Sequence, residues 1–204
     1  RANIDSQVST AKQYPRDIRR SIDNSIVIAT MNQETAQACG YALPRGGKLI
    51  TGPSVHLAKI IVSNWGNIRT EAKVVQTTDK QVISRGTCWA LEKNVESSFE
   101  VRRSIVDRKG KRFSEDMITV TGNAANSIAY RNSVFSVIPQ AITNRVYEAA
   151  QKLITGDLSD ADKWLKKRTA IVNSFKNDYA ISEEEVVKLC GKQTVNQINA
   201  SAIS

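Results

Sequence analysis

The segment Ile68-Arg-Thr-Glu-Ala-Lys-Val-Val75 decides the fold, because apolar or small residues alternate in it with charged ones. Alternation with a period of two predicts a strand with one packed face and one exposed face. The turn-like Thr77-Thr-Asp-Lys80 follows, and the segments Gln81 to Leu91 and Glu96 to Val106 repeat the alternation. Three such segments joined by short turns predict an antiparallel three-stranded meander.

Helices are predicted before the meander. Asp17 to Leu43 carries apolar residues at spacings that fit one or two helices. Tyr41-Ala-Leu-Pro-Arg-Gly-Gly-Lys48 contains a proline and a glycine pair, which are typical of a loop. Thr51-Gly-Pro53 is then predicted to open a second helical region, with Pro53 in its first turn.

A long helix is predicted after the meander, from Ser114 to the break at Pro139, followed by a helix over about Gln140 to Leu153. The helical period is carried by residues at spacings of three, four or seven: Met117, Val120, Thr121, Ala124, Ile128, Phe135 and Ile138. Two serine-acid capping pairs, Ser159 with Asp162 and Ser182 with Glu185, predict helices near 160–175 and 183–190. The fold class is therefore α+β: a three-stranded antiparallel meander flanked by helices, with a helical C-terminal appendage.

The composition excludes several classes of protein. With 41% hydrophobic and 24% charged residues among 204, the chain can bury a core. No apolar run approaches the length of a membrane span, so we predict no membrane association. Three scattered cysteines indicate reduced thiols in the cytoplasm, and a single histidine excludes a site with two imidazoles within one chain. The start, which lacks both a methionine and an apolar signal core, predicts a trimmed chain and not a secretory precursor.

The net charge of +9 is unevenly distributed. Residues 157–204 carry seven acidic and seven basic side chains, so the whole surplus lies in residues 1–156. Between Val101 and Arg112 there are six basic residues and one acidic residue. Such a concentration favours a polyanionic partner, most commonly nucleic acid. We therefore predict a basic core domain over 1–156 and a neutral helical region over 157–204.

Motifs for nucleotide or metal chemistry are incomplete in this sequence. Arg45-Gly-Gly-Lys48 fails the phosphate-loop pattern, because Leu49 stands where a hydroxyl would bind magnesium. Glu115-Asp116 and Glu183-Glu184-Glu185 lie at predicted helix starts. Carboxylates there stabilise a helix through its dipole, so their presence does not require a catalytic or metal-binding role. The sequence therefore predicts no catalytic residue, cofactor or metal.

One stretch, Val120-Thr-Gly-Asn-Ala-Ala-Asn-Ser-Ile-Ala-Tyr-Arg131, resembles the phage single-strand annealing proteins of the Erf type, within the superfamily that includes Red-beta. Phe135 and Ile138 continue the resemblance, and Tyr41 to Lys48 with Gly52-Pro-Ser54 is also similar to sequences of such recombination proteins. The resemblance covers roughly residues 15 to 156.

The resemblance implies a phage or prophage protein, in the cytoplasm of a bacterial host, that binds single-stranded DNA and pairs complementary strands in recombination without ATP. It implies a homo-oligomer, a ring or helical filament, bound to single strands and to the annealed duplex intermediate. A host single-strand-binding protein and a phage exonuclease are further partners compatible with it. The expected phosphate contacts are the basic residues of the meander, its turn, the glycine loop and the long helix: Arg45, Lys48, Arg69, Lys73, Arg85, Arg102, Arg103, Arg108, Lys109, Lys111, Arg112 and Arg131.

Two other classes of function are also compatible with the sequence. One is a metal-dependent nuclease or other DNA-processing enzyme that uses Glu100, Glu115 or Asp116. The other is a basic assembly protein that binds RNA or an acidic partner. Trp65, Trp89 and Tyr130 are candidates for stacking on bases, although each is better explained as a core or subunit-interface residue.

Overall fold

The computed structural model describes residues 2–45, 48–155, 161–179, 181–190 and 195. Within them the chain forms eight helices and five strands, in the order α1 (Ala2–Gln13), α2 (Ile18–Ala29), α3 (Gln33–Ala38), β1 (Gly40–Arg45), β2 (Lys48–Pro53), α4 (Val55–Trp65), β3 (Ile68–Thr77), β4 (Gln81–Ala90), β5 (Val95–Ser104), α5 (Glu115–Val137), α6 (Gln140–Thr155), α7 (Ala161–Tyr179) and α8 (Glu183–Leu189). The predicted α+β class is confirmed, including the helical C-terminal region.

The chain divides into two compact units between Ala150 and Gln151. The first unit contains both sheets and the helices α1 to α5. In the second unit, Val172 of α7 packs with Val186 and Val187 of α8. The predicted capping box is present there: the Ser182 hydroxyl accepts from the amide of Glu185, whose carboxylate accepts from the amide of Ser182. The other predicted pair, Ser159 with Asp162, lies outside the residues whose side chains are described.

The three-stranded sheet has the order β3-β4-β5, and both pairs are antiparallel, as predicted. Alternate residues of β4, among them Val82, Gly86 and Cys88, are buried beneath α5, which lies across one face of the sheet. We call this the inner face. The other face, which carries Arg85, Thr87 and Trp89 in the middle strand, is the outer face.

Helix α5 contacts the sheet through small residues. Gly122, Ala125, Ala129 and Ser133 form its buried stripe, following Ile118. The apolar residues that give the helical period do not all face the sheet, since Met117 and Val120 are 49% and 58% exposed. Ile118 packs against Val82 of β4 in place of Met117, and the two layers come closest where Gly86 lies beneath the backbone of Ala129. Ile138, which caps the helix, is buried.

A second, two-stranded sheet was not predicted. The residues Tyr41 to Arg45, assigned to a loop from the sequence, belong to strand β1, which pairs antiparallel with β2. Pro53 ends β2 and does not open a helix. The N-cap of α4 is Ser54, whose hydroxyl accepts from the amides of His56 and Leu57. Proline is tolerated in both strands because each is an edge strand of this small sheet.

The segment before α2 is attached to the sheet by a polar cluster that the sequence did not predict. Arg16 donates from its backbone amide and its Nε to Oε1 of Glu92, at 2.8 and 2.9 Å. Asn67 donates to the same oxygen at 2.7 Å and to the carbonyl of Tyr14. The Arg16 guanidinium also lies 4.8 Å from the centre of the Trp65 ring.

Every helix among the residues described is too short or too polar to cross a lipid bilayer.

Candidate nucleic-acid interface

Seven basic side chains gather where the β3–β4 turn meets the end of β5, and we call this region the basic end. In the sheet register, Arg102 lies opposite Ile83 and Arg103 opposite Val82, at the start of β4. The carbonyl of Lys80 accepts from the amide of Ile105, which brings the β3–β4 turn beside the chain that leaves β5. The members of the basic end are Lys80, Arg102, Arg103, Arg108, Lys109, Lys111 and Arg112, and all are exposed.

The charged turn within the basic end is held in one shape by Asp107. Its carboxylate accepts from the amides of Lys109 and Lys111, at 2.8 and 2.9 Å. Its own amide donates to the carbonyl of Lys111, and Gly110 supplies the positive φ of 83° that closes the turn. Arg112 anchors the turn to the sheet by donating from its guanidinium to the carbonyl of Thr78 at 3.0 Å.

None of the seven basic side chains forms an ion pair with a carboxylate of the described residues. Four carboxylates belong to the same end of the unit: Asp79, Asp107, Glu115 and Asp116. Asp107 is engaged by backbone amides, and Glu115 and Asp116 stand in the first turn of α5, where their negative charges interact favourably with the positive end of the helix dipole. The cations of the basic end therefore stay available to an external anion.

Arg102 and Arg103 point to opposite faces of the sheet, as consecutive residues of a strand must. Arg102 shares the outer face with Ile83, and Arg103 shares the inner face with Val82. The charged turn follows the end of β5 after Ile105 and Val106. A strand of nucleic acid that contacts both arginines must therefore cross the end of the sheet.

The outer face itself is close to charge balance. Lys73, Arg85 and Glu100 lie side by side in the sheet register. Arg85 pairs with Glu100 at 2.7 Å, and Lys73 pairs with Glu71 at 2.9 Å. The hydrogen bond from Lys73 holds the pKa of the Glu71 carboxyl below its ordinary value. Two of the predicted phosphate ligands, Lys73 and Arg85, thus already have carboxylate partners.

Arg69 and Arg131 are not part of the basic end. Arg69 lies opposite Trp89, toward the other end of the outer face. Arg131 of α5 is partly buried, with its guanidinium 4.8 Å from the centre of the Tyr41 ring and hydrogen-bonded to Asn132. It therefore holds strand β1 against α5. Tyr41 also neighbours Tyr147 of α6, and burial together with Tyr41 raises the pKa of the Tyr147 hydroxyl.

Two of the predicted phosphate contacts, Arg45 and Lys48, flank the glycine pair in the sequence. Arg45 ends β1, Lys48 begins β2, and the two backbones are paired. Their side chains and the two glycines lie outside the described residues. Farther along the two strands, Leu43 and Ile50 form an exposed cross-strand pair.

The three candidate stacking aromatics have different surroundings. Trp65 is buried against Arg16. Tyr130 is partly buried on the inner side, within hydrogen-bonding distance of Thr70. Trp89 alone of the three lies on the outer face, where its indole donates to Asn94.

The carboxylates considered for metal chemistry are separated by the sheet. Glu100 lies on the outer face, paired with Arg85, whereas Glu115 and Asp116 begin α5, which covers the inner face. Among the residues described, no group of three or more His, Cys, Asp or Glu side chains is placed to hold a metal ion.

Sequence reasoning missed Lys80 as a member of the basic end, although a signal was present. A hairpin turn at Thr77 to Lys80 and a third strand ending near Ser104 together bring Lys80 beside the end of β5. Comparison of this chain with protein-family models, with curated proteins and with solved structures finds no match.

Proposed function

We propose that this chain binds single-stranded DNA through the basic end and anneals complementary strands without nucleotide hydrolysis, acting as an oligomer in the cytoplasm of a phage-infected or lysogenic bacterial host. The observation that carries the proposal is the set of seven exposed basic side chains, none of them paired with a described carboxylate. The likeness of residues 15 to 156 to phage annealing proteins supports the pairing step.

Binding of this kind is driven by the release of counterions from the phosphate backbone. Lysine and arginine side chains on a surface contact phosphates and leave base edges free, so the bound strand can test a second strand for complementarity. The restraints on the charged turn reduce the entropy lost when it meets a phosphate. These properties suit backbone-led binding without sequence preference.

The test combines a binding assay and an annealing assay on the full chain. Fluorescence anisotropy with an oligodeoxythymidine measures affinity over a range of salt concentrations. Fluorescence resonance energy transfer between two complementary labelled oligonucleotides measures the rate of annealing. We expect affinity that falls steeply with salt and annealing faster than in protein-free controls.

The variant for this test is Lys109→Ala/Lys111→Ala, because the contacts that shape the turn at these positions come from backbone amides and survive the change. We expect its affinity to fall about tenfold, with a salt slope smaller by about two. The matched control is Arg19→Ala/Arg20→Ala, which removes two exposed charges from α2. Equal loss in both variants, or no acceleration of annealing by the unaltered chain, would contradict the proposal. A preference for RNA over single-stranded DNA at one salt concentration would favour the RNA-binding assembly protein instead.

A further inference from the structure

Both edges of the three-stranded sheet have unpaired backbone groups within the described part of the chain. The order β3-β4-β5 leaves one side of β3 and one side of β5 without a neighbouring strand. Strand β3 is regular from Ile68 to Val74, before the register shift between Val74 and Gln76, and β5 is regular throughout. An exposed regular edge is a template for pairing with another strand.

The outer face has opposite charges at its two edges. The register places residues of the three strands in rows: Arg69 with Trp89 and Glu96, then Glu71 with Thr87 and Ser98, then Lys73 with Arg85 and Glu100. The β3 edge thus presents two cations around one carboxylate, and the β5 edge presents two carboxylates. Neither Arg69 nor Glu96 forms an ion pair with another described residue.

We propose that β5 of one copy pairs in parallel with β3 of the next copy, so that the sheet continues from subunit to subunit with its rows in register. Glu96 then lies beside Arg69 of the next copy, and Glu100 beside Lys73. The proposal rests on the oligomer in the proposed function and names its interface. The partner is therefore a second copy of this chain.

Pairing of like edges brings like charges together in two registers. Two β3 strands paired antiparallel around Glu71 place Arg69 opposite Lys73, and two β5 strands paired around Ser98 place Glu96 opposite Glu100. Directly opposed like charges destabilise a strand pair. These two symmetric registers are therefore disfavoured, whereas the head-to-tail arrangement with its rows in register places opposite charges side by side.

The inner face gives a second, independent reason. The side chains of Val95 and Phe99 on β5 are 53% and 44% exposed, although they lie on the face of the sheet that α5 covers. In the sheet register, Val95 lies in one row with Ile68 of β3, and Phe99 lies in one row with Ala72 of β3. In the continued sheet Phe99 lies beside the small Ala72 of the next copy, and Val95 lies beside Ile68. Apolar surface that a single copy exposes is thereby removed from water.

This arrangement uses two different surfaces of each copy, so it does not end at a dimer. A head-to-tail interface gives a ring where the rotation between copies closes, and an open filament where it does not. In either form it repeats the basic end once per subunit, along one side of the assembly.

Charge reversal tests the interface by sedimentation velocity, with and without an oligodeoxythymidine. Arg69→Glu brings two carboxylates together at every junction, and Glu96→Arg brings two arginines together. We expect each variant alone to need about tenfold more protein to assemble. The double variant Arg69→Glu/Glu96→Arg restores an opposite-charge pair at every junction. So does a mixture of the two single variants, since an Arg69→Glu chain can pair only with a Glu96→Arg chain on either side.

Crosslinking gives a second readout that does not depend on charge. The row that joins Glu71 to Ser98 places these positions side by side across the proposed junction. In a Cys190→Ser background, where the remaining cysteines are buried, the chain with Glu71→Cys and Ser98→Cys should form a ladder of disulfide-linked multimers. An equal mixture of the two single-cysteine chains should form dimers only.

The outcomes separate the interface from the proposed function. The proposal is overturned if the unaltered chain stays monomeric under both conditions. It is also overturned if the mixture assembles no better than either single variant while circular dichroism shows both to be folded. Assembly with this signature but without faster annealing would contradict the proposed function and leave the interface intact. Faster annealing without rescue in the mixture would contradict the interface and leave the proposed function intact.

Discussion

The α-carbon of Gly86 lies against the backbone carbonyl of Ala129, with no side chain between strand β4 and helix α5 at this point. A β-carbon at position 86 would overlap that carbonyl and lie 2.8 Å from the amide nitrogen of Tyr130. The obstacle is backbone on a helix that spans the sheet. It cannot move aside without shifting the whole layer.

We predict that Gly86→Ala lowers the free energy of unfolding by about 3 kcal/mol, the upper range for overpacking a core. Urea denaturation measures the change. The matched control is Gly122→Ala on the same interface, where the new β-carbon would meet Cγ2 of Val74 at 3.3 Å. Val74 is an edge residue with 39% of its side chain exposed and can adjust, and alanine gains about 1 kcal/mol of helix propensity. Similar losses in the two variants would show that the layers are not in close contact at Gly86.

The second prediction concerns the buried pair of Arg16 and Glu92, whose side chains are 8% and 16% exposed. Burial raises the pKa of the Glu92 carboxyl, but the hydrogen bonds from Asn67 and Arg16 outweigh it, and the pKa lies below its ordinary value. We expect Glu92→Gln to lower the free energy of unfolding by about 2–3 kcal/mol at neutral pH, because the Arg16 charge loses its partner.

The pH dependence follows from the direction of that pKa shift. The stabilisation from Glu92 is complete above the unfolded-state pKa of about 4.3 and is lost as the pH falls through the lower folded-state pKa. The difference between the unaltered chain and Glu92→Gln should therefore shrink in acid, as measured by thermal unfolding across that pH window. Glu100→Gln, which breaks an exposed pair, is the control and should cost less than about 1 kcal/mol. A difference that is independent of pH would contradict the assignment.

The strands and the long helix could be predicted because their signals are local. Alternation along Ile68 to Val75 sets the strand, and Ser114 and Pro139 mark the limits of α5. The face that α5 buries could not be predicted, because its contacts depend on the distance between two layers. Met117 and Val120 are larger and more apolar than Gly122 and Ala129, yet the small residues face the sheet and the apolar pair is exposed.

The candidate site also has features that the sequence predicts and features that it does not. The basic residues from Arg102 to Arg112 lie in one short segment, so their charge can be counted directly from the sequence. The partners of Arg85 and Arg131 were not visible, because Glu100 and Tyr41 reach them only through the strand register and the helix packing. Charge counted along a chain cannot show which cations already have a partner.

The third prediction tests whether nucleic acid crosses the end of the sheet. Because Arg102 and Arg103 lie on opposite faces and both are exposed, Arg102→Ala and Arg103→Ala should each weaken binding of single-stranded DNA about five- to tenfold. Lys111→Ala should weaken binding about threefold, since it removes one of the two charges that Lys109→Ala/Lys111→Ala removes. The free energy of unfolding should stay within about 0.5 kcal/mol.

Arg85→Ala is the control for a strand that runs along the outer face, since Arg85 is exposed there, lies in the middle strand away from both sheet edges and is paired with Glu100. Fluorescence anisotropy at one salt concentration compares the four variants. Strong loss in Arg85→Ala and Arg102→Ala with none in Arg103→Ala would place the nucleic acid along the outer face, against our prediction.

The last prediction separates the shape of the charged turn from its charge. Asp107→Asn and Asp107→Ala change the net charge equally, but only asparagine keeps a side-chain oxygen that can accept from the amides of Lys109 and Lys111. We expect Asp107→Asn to bind single-stranded DNA about threefold more tightly than the unaltered chain, because one carboxylate is removed from the basic end. Asp107→Ala should gain less or lose affinity, since its turn must be ordered when the phosphate binds. Anisotropy measures both affinities, and amide hydrogen exchange at Lys109 and Lys111 reports the order of the turn. Equal affinities in the two variants, with faster exchange in Asp107→Ala alone, would show that the order of the turn does not contribute to binding.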